Sequence, residues 1–239
     1  MIPHVIHYCW FGGAPLPPWA ERCIASWRKH FPGWEIRRWD ESNYDVRITP
    51  YTSQAYDARK YAFVSDYARF DILHRHGGVY FDTDVEVVRP FDDLLACGAF
   101  MGMEGTNVAP GLGMATEAGN SLLAEMLDYY KGLQFIDEQG CQTAGTVVTY
   151  TTEVLLRHGY KPDGRQQRVA GFTIYPPPVL NPFDDITGRL VVAPETHSIH
   201  HYAKSWCDVH PWRTRLSRLC HRYIGLEWSA RIKQSLKLK

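Results

Sequence analysis

The feature that most constrains this chain is a helix-like run ending at His76, followed by Gly77-Gly78 and the apolar stretch Val79-Tyr80-Phe81, which stops at Asp82-Thr83-Asp84. Side chains alternate in an extended chain, so this spacing directs Asp82 and Asp84 to one side and Thr83 to the other. Like charges held side by side are costly without something positive beside them. A hard divalent cation with oxygen ligands is one such partner. In open α/β sheets, ligands gather beyond the carboxyl ends of strands, where these two carboxylates fall. The junction therefore asks for an α/β sheet with polar chemistry at one edge.

The rest of the chain fits that frame. Residues 3–10 are apolar, β-branched or aromatic and predict a first strand, broken by Gly12-Gly13. Trp19 to His30 carries Cys23, Ile24 and Trp27 at helical spacing and ends at Phe31-Pro32-Gly33. Residues 34–39 alternate and predict a second strand. Ser53 to His76 predicts one long helix, closed by a left-handed cap at Gly77-Gly78. Strands are expected at 79–81, 85–90, 99–103 and 108–115, then at 172–175 and 190–192 around a Pro176-Pro177-Pro178 loop. Helices are expected from Asn120 to Tyr130 and from Thr146 to His158, and residues 197–202 should be extended. Strands alternating with helices predict the α/β class: a single open mixed sheet, largely parallel, flanked by helices.

With 239 residues the chain suits one large domain and a small appendage. The formal charge is zero, but from residue 213 onward eight basic residues face Glu227 alone, so the preceding body is acidic. A boundary is expected at 211/212, with a basic helical tail over 212–239. Arg213, Arg215, Arg218 and Arg222 mix there with Trp212, Leu216, Leu219, Tyr223 and Ile224, a pattern suited to an anionic membrane surface. The acidic body argues against nucleic acid. Six cysteines are scattered without a close pair, the N-terminus lacks a basic and apolar leader pattern, and no apolar run reaches the ~20 residues a bilayer span needs. The expectation is a cytoplasmic protein, peripheral on the inner face of the membrane.

Asp82 and Asp84 have other potential owners. An EF-hand starting at Asp82 needs glycine at its sixth position and glutamate at its twelfth; Val87 and Asp93 stand there. A phosphatase-type aspartyl nucleophile usually ends the first strand of its fold, whereas 81 residues precede Asp82. On the preceding helix, Ser65, Asp66 and Arg69 share one face. They offer an acceptor and a fork of donors, the mixture a polyol requires.

Ile2-Pro3 with Ile6-His7-Tyr8-Cys9-Trp10-Phe11-Gly12-Gly13, the run from Tyr61 to Leu73, Gly77 to Val85, and Ser198-Ile199-His200-His201-Tyr202 with Ser205-Trp206 occur in one order. In these blocks the chain resembles the DXD-motif glycosyltransferases of bacterial capsular and surface polysaccharide synthesis. That family is similar in its core to the yeast initiating α-1,6-mannosyltransferase and, more distantly, to the clostridial glucosylating toxins. The resemblance covers residues 2 to about 206. It implies a GT-A fold over residues 1–211, a nucleotide-diphosphate sugar donor (a UDP- or GDP-hexose), a divalent metal (Mn2+ or Mg2+), a glycan or lipid-linked oligosaccharide acceptor, and retention of anomeric configuration.

The resemblance also implies roles. Trp10 would stack on the base; Ser65, Asp66 and Arg69 would hold the donor sugar; Asp82 would reach ribose, sugar or metal; Asp84 would bind the metal directly. His200 or His201 would complete the metal site, and Ser205 and Trp206 would lie near the departing diphosphate. A metal bridging two phosphates neutralises charge growing on the leaving oxygen, and an imidazole ligand shifts preference from magnesium toward manganese. Glu104, after a strand, could lie across the sugar as a nucleophile; a front-face reaction would need none. Gly111-Leu112-Gly113, Thr143 to Thr146 and Thr152-Glu153 are candidate acceptor-side residues, with glycines allowing close approach. Two other readings stay open: a non-catalytic nucleotide-sugar or glycan-binding protein, and a metal-dependent phosphohydrolase.

Overall fold

The computed structural model describes residues 1–143, 145–203 and Arg218. In chain order the elements are β1 (Val5–Cys9), α1 (Pro18–His30), β2 (Glu35–Trp39), α2 (Pro50–Asp57), α3 (Tyr61–His76), β3 (Gly78–Tyr80), β4 (Val85–Val87), α4 (Asp92–Ala96), β5 (Phe100–Glu104), β6 (Asn107–Thr116), α5 (Ser121–Lys131), α6 (Val147–Arg157), β7 (Gln167–Val169), β8 (Phe172–Tyr175), α7 (Pro177–Leu180), β9 (Phe183–Asp184), β10 (Arg189–Leu190) and β11 (Ser198–His200).

Seven strands form the central sheet in the order β2-β1-β3-β6-β5-β8-β7. The pairs β2/β1, β1/β3 and β5/β8 are parallel; β3/β6, β6/β5 and β8/β7 are antiparallel. The sheet is thus mixed, as expected, but not largely parallel. β6 follows β5 through a tight hairpin, and a hairpin can only join antiparallel neighbours. Two small sheets stand apart from it, β4/β11 and β9/β10.

Helices cover both faces. One apolar cluster packs Tyr51, Phe63, Phe70, Leu123, Tyr130 and Leu155 from α2, α3, α5 and α6 against the sheet. The other gathers Trp27, Phe31, Phe81, Phe91, Phe100 and Leu180 beneath the opposite face. Each fully buried ring contributes on the order of 1.5–3 kcal/mol. Trp27 does more than fill space. Its indole N–H donates to the Val85 carbonyl at 2.7 Å, and the neighbouring Ser26 hydroxyl accepts from the Val87 N–H at 2.9 Å. Helix α1 thereby fixes β4, and with it the turn that precedes β4.

Four local expectations change. The span 53–76 is two helices: Arg59 takes a positive φ of 57° between α2 and α3, and α2 starts earlier, at a Thr49–Thr52 capping box. Gly77 closes α3 at φ 64°, ψ −166°, outside the left-handed helical cap expected, because the chain turns directly into β3. A Cβ at Gly77 would lie 2.7 Å from the Ala118 amide nitrogen, so only glycine fits. The triple proline begins the short helix α7, since proline is tolerated in a first helical turn. The 190–192 strand shrinks to the two residues of β10. The strand β7 and the helix α4 were not anticipated; each is short and lacks a full period of pattern.

Candidate active site

Helix α3 is sandwiched between the sheet and neighbouring helices, so its apolar residues run round most of its circumference. Asp66 and Arg69 are nonetheless buried in it, at 7% and 3% exposure. Buried charges need partners. The Arg69 guanidinium supplies one for two carboxylates at once. Nη2 lies 2.9 Å from Asp66 Oδ1 and 3.2 Å from Asp82 Oδ1, while Nη1 lies 3.5 Å from Asp82 Oδ2. Nε donates to the Ser65 carbonyl at 3.0 Å, and the guanidinium stacks over the Tyr80 ring at 5.0 Å. The Tyr80 hydroxyl donates to Asp82 Oδ1 at 3.0 Å. Burial pushes the Asp66 carboxyl up to about 7, against the pull of Arg69 and of the Val147 N–H at the start of α6.

Asp82, Thr83 and Asp84 do not continue the strand. The Val85 N–H donates to the Asp82 carbonyl at 3.0 Å, which closes a tight turn between β3 and β4. The alternation expected of an extended chain is therefore lost, and the two carboxylates take different partners. Asp82 joins Arg69. Asp84, 9% exposed, accepts from His200 Nε2–H at 3.0 Å and from the Ala203 N–H at 2.8 Å. Burial disfavours the Asp84 anion, but His200 and the Ala203 N–H outweigh it and hold the carboxyl below the usual carboxylate range. Burial likewise disfavours the His200 cation, yet Asp84, Asp82 and Glu104 raise its pKa on balance.

β6 shapes the other wall. Its register against β5 jumps between Met101↔Met114 and Gly102↔Ala109, so residues 110–113 bulge. Pro110 cannot donate to a ladder, which suits such a break. In that bulge the Gly111 carbonyl accepts from the Asp82 N–H at 3.0 Å. A Cβ on Gly111 would lie 1.9 Å from Asp82 Oδ2 and 2.8 Å from Arg69 Nη1.

The structure brings Ser65, Asp66, Arg69 and Asp82 together, and Asp84 with His200 beside them. Ser65 Oγ donates to the Ala62 carbonyl at 2.7 Å and lies 3.5 Å from Arg69 Nη2. His201 is directed elsewhere: its Nε2 pairs with Glu86 at 2.8 Å near the surface, while its backbone N–H donates to the Asp84 carbonyl at 3.0 Å. Trp10 follows β1 and, through the parallel β1/β3 pairing, lies at the same sheet end as Asp82. It is half-buried, with its indole N–H on the Ala14 carbonyl at 2.7 Å. Glu104 ends β5 and faces Tyr202 and His200. Ser205, Trp206 and the tail apart from Arg218 lie outside the described residues. Of the residues expected on the acceptor side, Thr152 accepts from the Val108 N–H and Glu153 from the Tyr129 hydroxyl.

Sequence reasoning missed Tyr80, Asn181 and Tyr202. Tyr80 stands two residues before Asp82 on an extended strand, a spacing that could have flagged it. Nothing local marks Asn181.

The Asp84 carboxylate and the His200 imidazole beside it are donors that suit a divalent cation accepting nitrogen as well as oxygen. The buried His200 Nδ1 has no hydrogen-bond partner among the described residues. Among the described residues, no group of three or more His, Cys, Asp or Glu side chains is arranged to hold a metal ion.

Residues 17–101 match the family model described as a glycosyltransferase sugar-binding region containing a DXD motif. The matched span holds Asp66, Arg69, Asp82 and Asp84. An inositol phosphoceramide mannosyltransferase of Schizosaccharomyces pombe is 31% identical over 111 residues, covering 42% of this chain and 33% of the relative. An uncharacterized glycosyltransferase of Acanthamoeba polyphaga mimivirus is 32% identical over 112 residues, covering 42% of each chain. The chain thus matches well under half the length of either relative. Among solved structures, the PaToxG glycosyltransferase is similar at a TM-score of 0.48 and 20% identity, covering 65% of this chain and 68% of its own. A glycosyltransferase involved in glycosylation of the PBCV-1 major capsid is similar at 0.45 and 9%, covering 91% and 100%. The span that matches the family model runs from α1 to the start of β5 and is similar there to the sugar-binding region of DXD-motif glycosyltransferases.

Proposed function

We propose that this protein is a metal-dependent glycosyltransferase of GT-A type that moves a hexose from a nucleotide-diphosphate sugar to a glycan acceptor with retention of configuration. The observation that carries this reading is the Asp66–Arg69–Asp82 triad, buried at Asp66 and Arg69 and lying within the matched region, set beside the Asp84–His200 pair near the carboxyl end of β3. A sugar presents hydroxyls that both donate and accept. Arg69 offers donors in a fixed fork, and Asp66 and Asp82 offer acceptors whose positions Arg69 and Tyr80 lock. Such preorganisation is where binding specificity and rate come from.

Asp84 and His200 would hold a divalent cation together with the donor diphosphate, while Asp82 stays with Arg69 and Tyr80. When bound, the cation would neutralise charge on the departing diphosphate. The chain's own part is to hold the donor sugar against Arg69 and to keep the Asp84 carboxylate ionised. Trp10, at the same sheet end, would stack on the base. Glu104 is engaged beside Tyr202 and His200, which favours a front-face reaction without a covalent intermediate. Surface or capsular polysaccharide, or a lipid-linked oligosaccharide, is the acceptor class suggested by the sequence resemblance. The basic stretch 212–239 would bring the enzyme to the anionic membrane where such acceptors are assembled.

The test is donor hydrolysis and transfer across UDP- and GDP-hexoses with and without Mn2+, in wild type and Asp84→Asn. A metal-dependent rate that falls at least ~100-fold in the variant supports the reading. Donor binding without turnover would make it a binding protein, and phosphate release from simple monoesters would make it a phosphohydrolase.

A further inference from the structure

Residues 200–203 arch over Asp84. His200 Nε2 meets Asp84 Oδ1, the His201 N–H meets the Asp84 carbonyl, and the Ala203 N–H meets Oδ2. The crown of the arch is Tyr202, with a φ of 50°. That is the left-handed region, which a bulky side chain adopts only when its surroundings hold it there. Its surroundings are specific. The Tyr202 hydroxyl accepts from Asn181 Nδ2 at 2.5 Å. Asn181 is 4% exposed and fixed by its own N–H, which donates to the Pro177 carbonyl at 2.7 Å. The Glu104 carboxylate faces the same hydroxyl. On the other side, the Tyr202 ring packs edge-on against the His200 imidazole, with centroids 4.2 Å apart.

His200 needs such a wall. An imidazole is normally oriented by the hydrogen bond its second nitrogen makes. Here Nδ1 is buried and makes none among the described residues. The ring would pivot about its Asp84 contact were it not for the phenol lying across it. We propose that Tyr202 is a positioning residue: pinned by Asn181, its ring takes the place of the missing second hydrogen bond and keeps His200 aimed at Asp84. Its role in turnover rests on the glycosyltransferase reading, whereas its role in orienting His200 does not.

The experiment separates these. Tyr202→Phe deletes the Asn181 anchor and keeps the ring; Tyr202→Ala deletes both. Long-range proton–nitrogen NMR on the histidine rings reads His200 directly, and thermal melting reports folding. In the wild type, His200 should show one sharp tautomer with Nε2 toward Asp84. In Tyr202→Phe the signal should broaden and kcat for donor hydrolysis should fall about 5-fold, the equivalent of one net hydrogen bond. In Tyr202→Ala kcat should fall about 100-fold, as expected of a misplacement near 1 Å, while KM for the donor changes less than about 2-fold. Should Tyr202→Ala fail to fold, Tyr202→Phe decides. A His200 signal as sharp as wild type in the folded variants overturns the proposal. A wild type with an ordered His200 but no donor turnover overturns the glycosyltransferase reading instead and leaves the orienting role supported.

Discussion

Gly111→Ala tests whether the bulge in β6 is part of the active site. The added methyl carbon would stand 1.9 Å from Asp82 Oδ2, 2.8 Å from Asp82 Cγ and 2.8 Å from Arg69 Nη1. Ordinary contact begins near 3.4 Å, so one partner must yield by about 1.5 Å. The Gly111 backbone is held by the Asp82 N–H on its carbonyl, and Arg69 is tethered by Asp66 and the Ser65 carbonyl. The Asp82 carboxylate is the group that moves, losing the Tyr80 hydroxyl or the Arg69 fork. Displacements of about 1 Å at a reacting centre cost on the order of 100-fold in rate. The expected result is a loss of that size or more in kcat/KM for the nucleotide sugar. The melting temperature should drop by only a few degrees, since the disturbed ion pair is not the fold's main support. Gly132→Ala, whose methyl would meet nothing nearer than 3.8 Å, is the control. A Gly111→Ala enzyme with more than half the wild-type kcat/KM would refute the claim that Asp82 is held in place for function.

Three further outcomes are expected. His7 is fully buried, its Nδ1 accepting from the Trp39 indole N–H at 3.0 Å and its Nε2 meeting the Gly77 carbonyl at 3.0 Å, so the neutral Nε2–H tautomer is saturated. Burial lowers its pKa to about 4, below the 6.5 of the unfolded chain; the stability this gives is complete above pH 6.5 and drains away as pH falls toward 4, by about 3 kcal/mol. Urea titrations of wild type and His7→Gln between pH 4.5 and 7.5 check this, and equal slopes with pH in the two proteins would contradict it. Glu104→Gln should keep transfer within about 3-fold, because an amide oxygen still accepts from Tyr202; a fall of 1000-fold with a trapped glycosyl adduct would restore a nucleophile. Deleting residues 213–239 should weaken partition onto phosphatidylserine vesicles by at least ~10-fold, at about 1 kcal/mol for each basic residue near the surface. Unchanged partition would end the membrane assignment.

Local chemistry was legible where it repeated. The apolar run before Asp82, the helical spacing of Cys23, Ile24 and Trp27, and the Asn120 cap each follow from a few adjacent residues, and the Asn120 cap forms as expected. The shared face of Ser65, Asp66 and Arg69 was legible for the same reason. The sequence does not reveal what depends on distant packing. The pairing of β6 with β3 and the tight turn at Asp82, whose N–H meets the Gly111 carbonyl, involve neighbours far along the chain. Separating His200 from His201 needed β11's register on β4, because adjacent residues on a strand face opposite sides. Tyr202 was invisible because a positive φ in a tyrosine leaves no trace in composition.

The pairing of β11 with β4 has a consequence for assembly. His200 lies opposite Val85, 115 residues downstream. A chain emerging from the ribosome amino end first can form Asp66, Arg69 and Asp82 into a unit while Asp84 still lacks both its imidazole and its amide partner. Such a nascent chain would hold the Asp66–Arg69–Asp82 cluster but not the Asp84–His200 pair. The order of synthesis thus leaves Asp84 without its partners until nearly the whole described chain has been made.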